Sequence, residues 1–464
     1  MTKEKIKKLK QLLGFIEDKK LKERVEKEAG LEEGIEIKEK YHPEKDEVEI
    51  DITGLHNFFT KISNIVQRHW VKLALLLIVF LAFYIRIFAF NYPYLINIDS
   101  YYFYRYMNFI VEDGKIPDID PYMLAPEGLN TRNVPKFYMY LGAYSYLFFK
   151  HFLPNLELWR YLIYFPAAIA ALCAIPVYFI GKYLFDRKAG VIAAFFLVFN
   201  PFNMTRTLGG DPDSDGIVLL MTLVPVALFL ATQKSIERDG LKKQPLLLSV
   251  ATGIALALFA HTWGGSWYVV WLFAGFVVLK LIAELVIFGN FKKAWKQNKN
   301  NFVSLFVIFL VFSLLVVPFF GISKIVGIIE SPFGALRMKS EAARRFPNVW
   351  VSIAEMMSPE GKTFYDKINT IATRATGMPL GGISTIVHPF FLAVYSMLYF
   401  VISYTKRKKH LDSLIFMFLW FIGPLYASIV AVRFVILLST PLIVLSSIAL
   451  AKLFDIIMGK DILD

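Results

Sequence analysis

Three aspartates alternate in Thr205–Ile217, which reads TRTLGGDPDSDGI: Asp211, Asp213 and Asp215. Glycine and proline surround them and an apolar run follows at once, so the acids sit in a turn that opens a helix. Hard divalent cations take several oxygen ligands, and short acidic loops supply them. The spacing begins like an EF-hand loop, but its twelfth position is Thr222, inside an apolar run, where that loop needs a bidentate glutamate. One acid is accounted for by helix capping. Three at one turn exceed what a cap needs, and their clustered like charge points to a bound cation.

Two further acids are weaker signals taken singly. Asp99 stands in NIDSYYFYR, directly after an apolar run, where a lone aspartate reads as a cap at the membrane interface. Glu355 stands in VSIAEMMSP, where a single glutamate reads as a solvated loop residue. The sequon Asn203-Met204-Thr205 abuts a predicted helix end, and so short a motif arises by chance.

The elements that must position these residues are membrane helices. Of 464 residues 56% are hydrophobic and 16% aromatic, led by 43 Phe and 23 Tyr; soluble chains hold less, about 45–50% apolar. Apolar runs near 71–90, 160–182, 189–204, 217–232, 246–261, 267–288, 302–320, 386–404, 412–430 and 434–456 predict about ten spans. The shorter run 137–152 predicts a helix lying in or re-entering the membrane. Two long loops remain, about 91–159 and 321–385. Residues 1–70 are Lys/Glu-rich with no signal-peptide core and predict a charged, helical cytoplasmic extension; 457–464 form a short tail. The single cysteine, Cys173, excludes an intrachain disulfide.

The net charge of +13 is distributed as topology demands rather than as nucleic-acid binding demands. With the N-terminus inside, alternation puts Lys182, Arg187 and Lys188, Lys234 to Lys243, Lys292 to Lys299, Lys406 to Lys409, and Lys452 with Lys460 on the cytoplasmic side. The outer side receives Asp99, Asp211 to Asp215, the His261–Trp267 turn, Glu355 and Arg433. The chain is thus expected to be a multi-pass cell-membrane protein with its chemistry on the external face. No P-loop or Rossmann glycine pattern occurs, and no nucleic-acid partner is indicated.

In combination these segments resemble the STT3/AglB-type oligosaccharyltransferases. IDSYYFYR is similar to that family's first acidic motif, and TRTLGGDPDSDGI to its second, with Arg206, Asp213 and Asp215 in register. HTWGGSW, with Trp263, resembles the Trp-Gly-Gly turn between two spans; Ser352–Glu355 resembles the SVSE or TIxE motif of the large outer loop. AVRFVILLSTP is similar to the late span that opens on an arginine, here Arg433. The resemblance runs from about Val71 to Lys452 and implies an all-α polytopic fold of the GT-C type.

It also implies roles. Mg²⁺ or Mn²⁺, held by Asp99, Asp213 and Asp215, would bind the pyrophosphate or phosphate of a polyprenyl (dolichyl)-linked oligosaccharide. Arg433, with Trp263 near it, would contact the lipid phosphate, and Arg206 would brace the acids. Glu355, with Asp99, would accept hydrogen bonds from the amide of an acceptor asparagine, and transfer would invert the anomeric carbon. Family members carry a further outer domain with a WWDYG motif, which the 464 residues lack. The chain therefore reads as a fragment, as one half of a split enzyme whose WWDYG domain is a separate chain, or as a relative with another acceptor. A glycosyltransferase using a monophosphate-linked sugar shares the general architecture, but does not predict these motifs together. A transporter or flippase would place its charges inside the spans rather than in loops at one face.

Overall fold

The computed structural model describes residues 53–88, 90–132, 134–342, 356–381 and 387–460. The chain divides into two compact units, Met1–Ile65 and Val66–Asp464; the first helix begins in the former, and every other element discussed below lies in the latter. The charged extension up to residue 52 and Glu355 lie outside the described residues.

Helix α1, Thr53–Phe88, includes the first membrane-length apolar stretch, Gln67–Phe88. The helix begins well before the expected boundary at residue 70, because nothing between Thr53 and Val71 breaks it. The first long loop is largely structured. It holds α2 (Ile98–Asp113), a two-residue antiparallel pair, β1 (Ile119–Asp120) with β2 (Leu129–Asn130), and α3 (Phe137–Phe152). Asn97 caps α2 by accepting the Asp99 N–H, and Gly114 ends it in the left-handed region.

The expected span 160–182 is a helix pair, α4 (Leu158–Leu172) and α5 (Ala174–Leu184), which together make one membrane-length element. Asp186 then caps α6, Arg187–Val198, and a short α7, Pro201–Thr205, follows with Asn200 as its cap. The span expected over 189–204 is therefore interrupted: twelve residues of α6 rise about 18 Å, too little to cross the hydrocarbon alone. Helices α8 (Asp215–Asp239), α9 (Lys243–Ala260), α10 (Trp267–Phe288) and α11 (Phe291–Phe320) each have membrane length.

The second long loop contains α12 (Ile322–Ala342) and α13 (Phe364–Thr376), the latter started by a Thr363–Asp366 capping box. Helices α14 (Pro389–Arg407), α15 (Leu411–Val430) and α16 (Val435–Ile457) complete the bundle. Among the described residues eight elements are long and apolar enough to span, against about ten expected; α6 and α14 are the two that fall short. Helix α16 is buried along most of its length, against α6, α14 and α15. Phe229 of α8 stacks on Phe273 of α10 at 4.1 Å between ring centres, with Phe416 of α15 beside them. The result is an all-α bundle with two ends of different composition.

Candidate active site

The acidic loop is held in place by its glycines and by an arginine that the sequence motifs do not flag. Gly209 and Gly210 donate their N–H groups to the carbonyls of Arg86 and Ile163, both at 3.0 Å. This threads the loop between the end of α1 and α4. Gly210 sits at φ +78, and a Cβ there would lie 2.0 Å from the Phe90 ring, so both backbone and space require glycine. Arg86 is buried. It donates to Thr207 Oγ1 (2.9 Å), to the Ala82 carbonyl (2.9 Å) and to the Val198 carbonyl (2.7 Å). Val198 closes α6, so the guanidinium meets the negative end of that helix. Thr207 donates in turn to the Asn203 carbonyl at 2.6 Å. Asn203 is itself buried, at 1% exposure, which removes the chance sequon from any modifying enzyme.

The first acidic motif is bonded to the second. The Ile96 N–H donates to the Gly210 carbonyl at 3.0 Å, and Ser100 Oγ donates to Asp211 Oδ1 at 2.8 Å. Asp99, between them on the first turn of α2, is exposed beside the acidic loop. The Tyr-Arg end of the motif has a different task. Arg105 forks onto Asp120 (3.0 and 2.8 Å) and packs over Phe109 and Tyr122, tying α2 to the β1–β2 hairpin. That arginine holds the Asp120 carboxyl below the usual carboxylate range.

Asp213 shows what the cluster does electrostatically. Burial, then the charges of Asp215, Asp211 and Asp99, raise its pKa to about 6, against the opposing N–H of Ser214. Like charges that unsettle one another in a half-dry site are the condition a cation relieves. Tyr138 of α3 adds to this. Its hydroxyl is buried with no hydrogen-bond partner among the described residues, and burial with the charges of Asp213 and Asp211 pushes it well above its usual range. An all-oxygen donor set suits a hard cation in kind. Among the described residues, however, no three His, Cys, Asp or Glu side chains form a ready-made metal-holding group.

The remaining residues converge across the bundle. Arg206, which ends α7, pairs with Asp215 at 3.2 Å and lies over the Phe202 ring. Arg206, Asp215, Trp263 and Arg433 line one cleft, with Val218 and Leu437 among its apolar walls. Trp263 precedes the turn Gly264–Ser266, and its indole lies against Gly265, where a Cβ would meet the ring at 2.2 Å. Trp263 thus packs on its own turn and also lines the cleft. Arg433 is exposed on the turn Val432–Phe434. The residues that follow Glu355 are fastened there: Val432 N–H donates to the Met357 carbonyl at 3.0 Å, and Ser358 Oγ to the Val430 carbonyl at 3.2 Å.

Sequence reasoning thus found Asp99, Arg206, Asp213, Asp215, Trp263 and Arg433 at one end of the bundle. It missed Arg86 and Tyr138, and had Arg105 only as the end of a motif. A charged residue inside the first apolar run was the available signal for Arg86; nothing local marked Tyr138 among its aromatic neighbours.

Eight membrane-length helices among the described residues make this an all-α polytopic membrane protein. A sequence profile described as "Oligosaccharyl transferase STT3, N-terminal" matches residues 71–460, and the chain belongs to that family. It is 23% identical over 499 residues to the dolichyl-phosphooligosaccharide-protein glycotransferase of Methanocaldococcus jannaschii, covering 85% of this chain and 52% of the relative. Glycotransferase 3 of Archaeoglobus fulgidus is 26% identical over 257 residues, 53% of this chain and 28% of the relative. The chain therefore spans about half the length, or less, of these relatives. Among solved structures, the fold is similar to the A. fulgidus oligosaccharyltransferase in complex with Zn and sulfate (TM-score 0.61, 21% identity, 83% of this chain and 49% of that one). It is also similar to AglB of that organism with an inhibitory peptide and a dolichol-phosphate (TM-score 0.57, 18% identity, 85% and 53%).

Proposed function

We propose that this chain carries the membrane-embedded donor site of an oligosaccharyltransferase. It would bind a polyprenyl (dolichyl)-linked oligosaccharide and pass the glycan to an asparagine amide of an acceptor protein. The observation that carries this reading is the cleft that unites Arg206, Asp215, Trp263 and Arg433 beside the Asp99 and Asp213 loops. In the transfer the bond from the anomeric carbon to the carrier phosphate oxygen breaks. A bond from the asparagine nitrogen forms with inversion, the carrier phosphate leaves with the electron pair, and the nitrogen gives up one N–H proton to a carboxylate or through water to the leaving phosphate.

Phosphate charge must be neutralised as that bond breaks. Arg433 supplies a guanidinium that stays charged near hydrocarbon and grips phosphate through two N–H groups. Arg206 holds Asp215 in place from the other wall. Asp99, Asp213 and Asp215 would hold a divalent cation, Mg²⁺ or Mn²⁺, which supplies Lewis-acid neutralisation of the leaving phosphate. The Zn in the A. fulgidus complex is consistent with a metal in this fold. Glu355 would accept hydrogen bonds from the acceptor amide, and the anchoring of Met357 and Ser358 beside Arg433 supports its loop's attendance on the site. Segregation of basic residues at the opposite end supports an external site, with the N-terminus inside.

The test is glycopeptide formation from a polyprenyl-pyrophosphate glycan and an Asn-x-Ser/Thr peptide in membranes carrying the chain. Transfer that EDTA abolishes and Mg²⁺ or Mn²⁺ restores is the expected result. Activity with a monophosphate carrier alone would move the donor class. No transfer from either carrier, with or without an added WWDYG-bearing chain, would overturn the proposal.

A further inference from the structure

A second cleft opens on the far side of the His261–Trp263 turn, and it shares no lining residue with the first. It is a groove of about 560 Å³, inside the roughly 300–1,000 Å³ range of small-ligand sites. Its walls are the C-terminal halves of α9 and α11, with Leu258 on one and Leu315 and Phe319 on the other. Both helices are long and apolar enough to span a membrane, and the walls belong to their last turns. The groove's other end is different. Lys136, at the start of α3, and Arg132, just before it, line the mouth beyond the ends of the spans.

The turn that separates the two clefts is bonded to both α3 and α11. His261 accepts the Phe137 N–H through its carbonyl at 3.0 Å, and its Nε2 lies 3.2 Å from the Leu315 carbonyl. His261 therefore faces the groove while Trp263 faces the catalytic cleft. The mouth carries excess positive charge. Arg132 pairs with Asp118 at 2.9 Å, both exposed. Lys324 lies 5.5 Å over the ring of Phe320, another lining residue. Lys136 is half-buried, and burial draws its ammonium below the usual lysine range, opposed by the charge of Asp118.

An apolar slot between spans with cations at interfacial depth fits one kind of occupant: a chain in the slot and an anionic head at the mouth. We propose that this groove binds an anionic phospholipid of the surrounding bilayer, its phosphate on Lys136 and one chain between α9 and α11. Phosphate at Lys136 returns a counter-charge to a partly dehydrated ammonium, and Phe319 and Leu258 exchange contact with mobile lipid for a fixed chain. The lipid would hold α3 against the spans, and so brace the element that bears Tyr138.

Native mass spectrometry of the full chain, released from detergent after titration with phosphatidylglycerol, tests this. The expected result is one tightly retained phosphatidylglycerol, with phosphatidylcholine retained weakly. Lys136→Gln should weaken retention about fivefold, since a basic residue at a membrane surface contributes roughly 1 kcal/mol toward an anionic lipid. Leu258→Trp, which fills the slot and leaves the charges, should abolish it; this variant carries the test if Lys136→Gln fails to fold. Arg433→Ala should leave retention unchanged. Equal retention of the two lipids, displacement by inorganic phosphate alone, or loss of the adduct in Arg433→Ala would each overturn the proposal, the last by moving the lipid to the catalytic cleft.

Discussion

The two ends of the bundle handle carboxylates in opposite ways. At the lysine-rich end several acids meet amines. Asp455 is bonded to Lys188 and to Lys460, Asp412 takes Lys280 at 2.5 Å, and Glu237 takes Lys234 at 3.0 Å. Asn298 completes this end by donating to Glu284 at 2.6 Å. At the other end Asp99, Asp211, Asp213 and Asp215 face two arginines, Arg206 and Arg433, and Arg433 stands across the cleft rather than on a carboxylate. Paired charges lock helices together, and breaking one leaves an uncompensated charge. Clustered like charges do the reverse, and persist where a ligand completes them. One end is built for the fold; the other is where we propose a cationic and phosphorylated guest.

Substitutions should separate the two behaviours, and the largest effect belongs at the acidic end. Asp215→Asn or Asp99→Asn should lower glycopeptide formation about 10²–10³-fold, the loss typical when a charge-stabilising group leaves an active site, while the unfolding temperature barely moves. Transfer at the unsubstituted rate in either variant would end the contrast between the two regions. Next in size is Arg433→Ala. Removing a charged hydrogen-bond partner costs about 1.5–3 kcal/mol, so titration with lipid-linked donor should show roughly 10- to 100-fold weaker binding.

Lys280→Met reverses the pattern by stranding Asp412 in the bundle. Its cost is of order 3 kcal/mol, read as a lower melting temperature with donor affinity retained in the folded fraction. Gly210→Ala should fall between the two classes. The loop's positive φ and the Phe90 ring resist a methyl group, and strain of about 1–3 kcal/mol should lower both stability and donor binding. The smallest effect sharpens the comparison most. Asp213→Asn removes one of the repelling charges, and should stabilise the metal-free protein by on the order of 1 kcal/mol while removing any stabilisation by added Mg²⁺ or Mn²⁺. Destabilisation by this substitution would place Asp213 among the structural acids instead.

What the sequence determined by itself was the all-α membrane class and the acidic motifs. Apolar runs of membrane length admit helices, since backbone groups in hydrocarbon must be satisfied within the chain. The run 217–232 became α8 and 434–456 became α16 almost as written. The acids at 99, 211, 213 and 215 were legible because clustered like charge in short loops is costly, and the DPDSD spacing is visible without a fold. Continuity and partnership were not legible. Whether 189–204 crosses the membrane depended on the break after Val198, which is fixed by the Asn200 cap and by Arg86 reaching in from α1, 112 positions earlier. The tertiary structure alone decided that Ser100 would meet Asp211, that Met357 would be pinned to the Arg433 turn, and that Trp263 would be shared between packing and cleft. Hydropathy is a property of each residue and its near neighbours, so it survives in the string of letters. A hydrogen bond across a bundle is a property of two segments, and comes into being only when the helices pack.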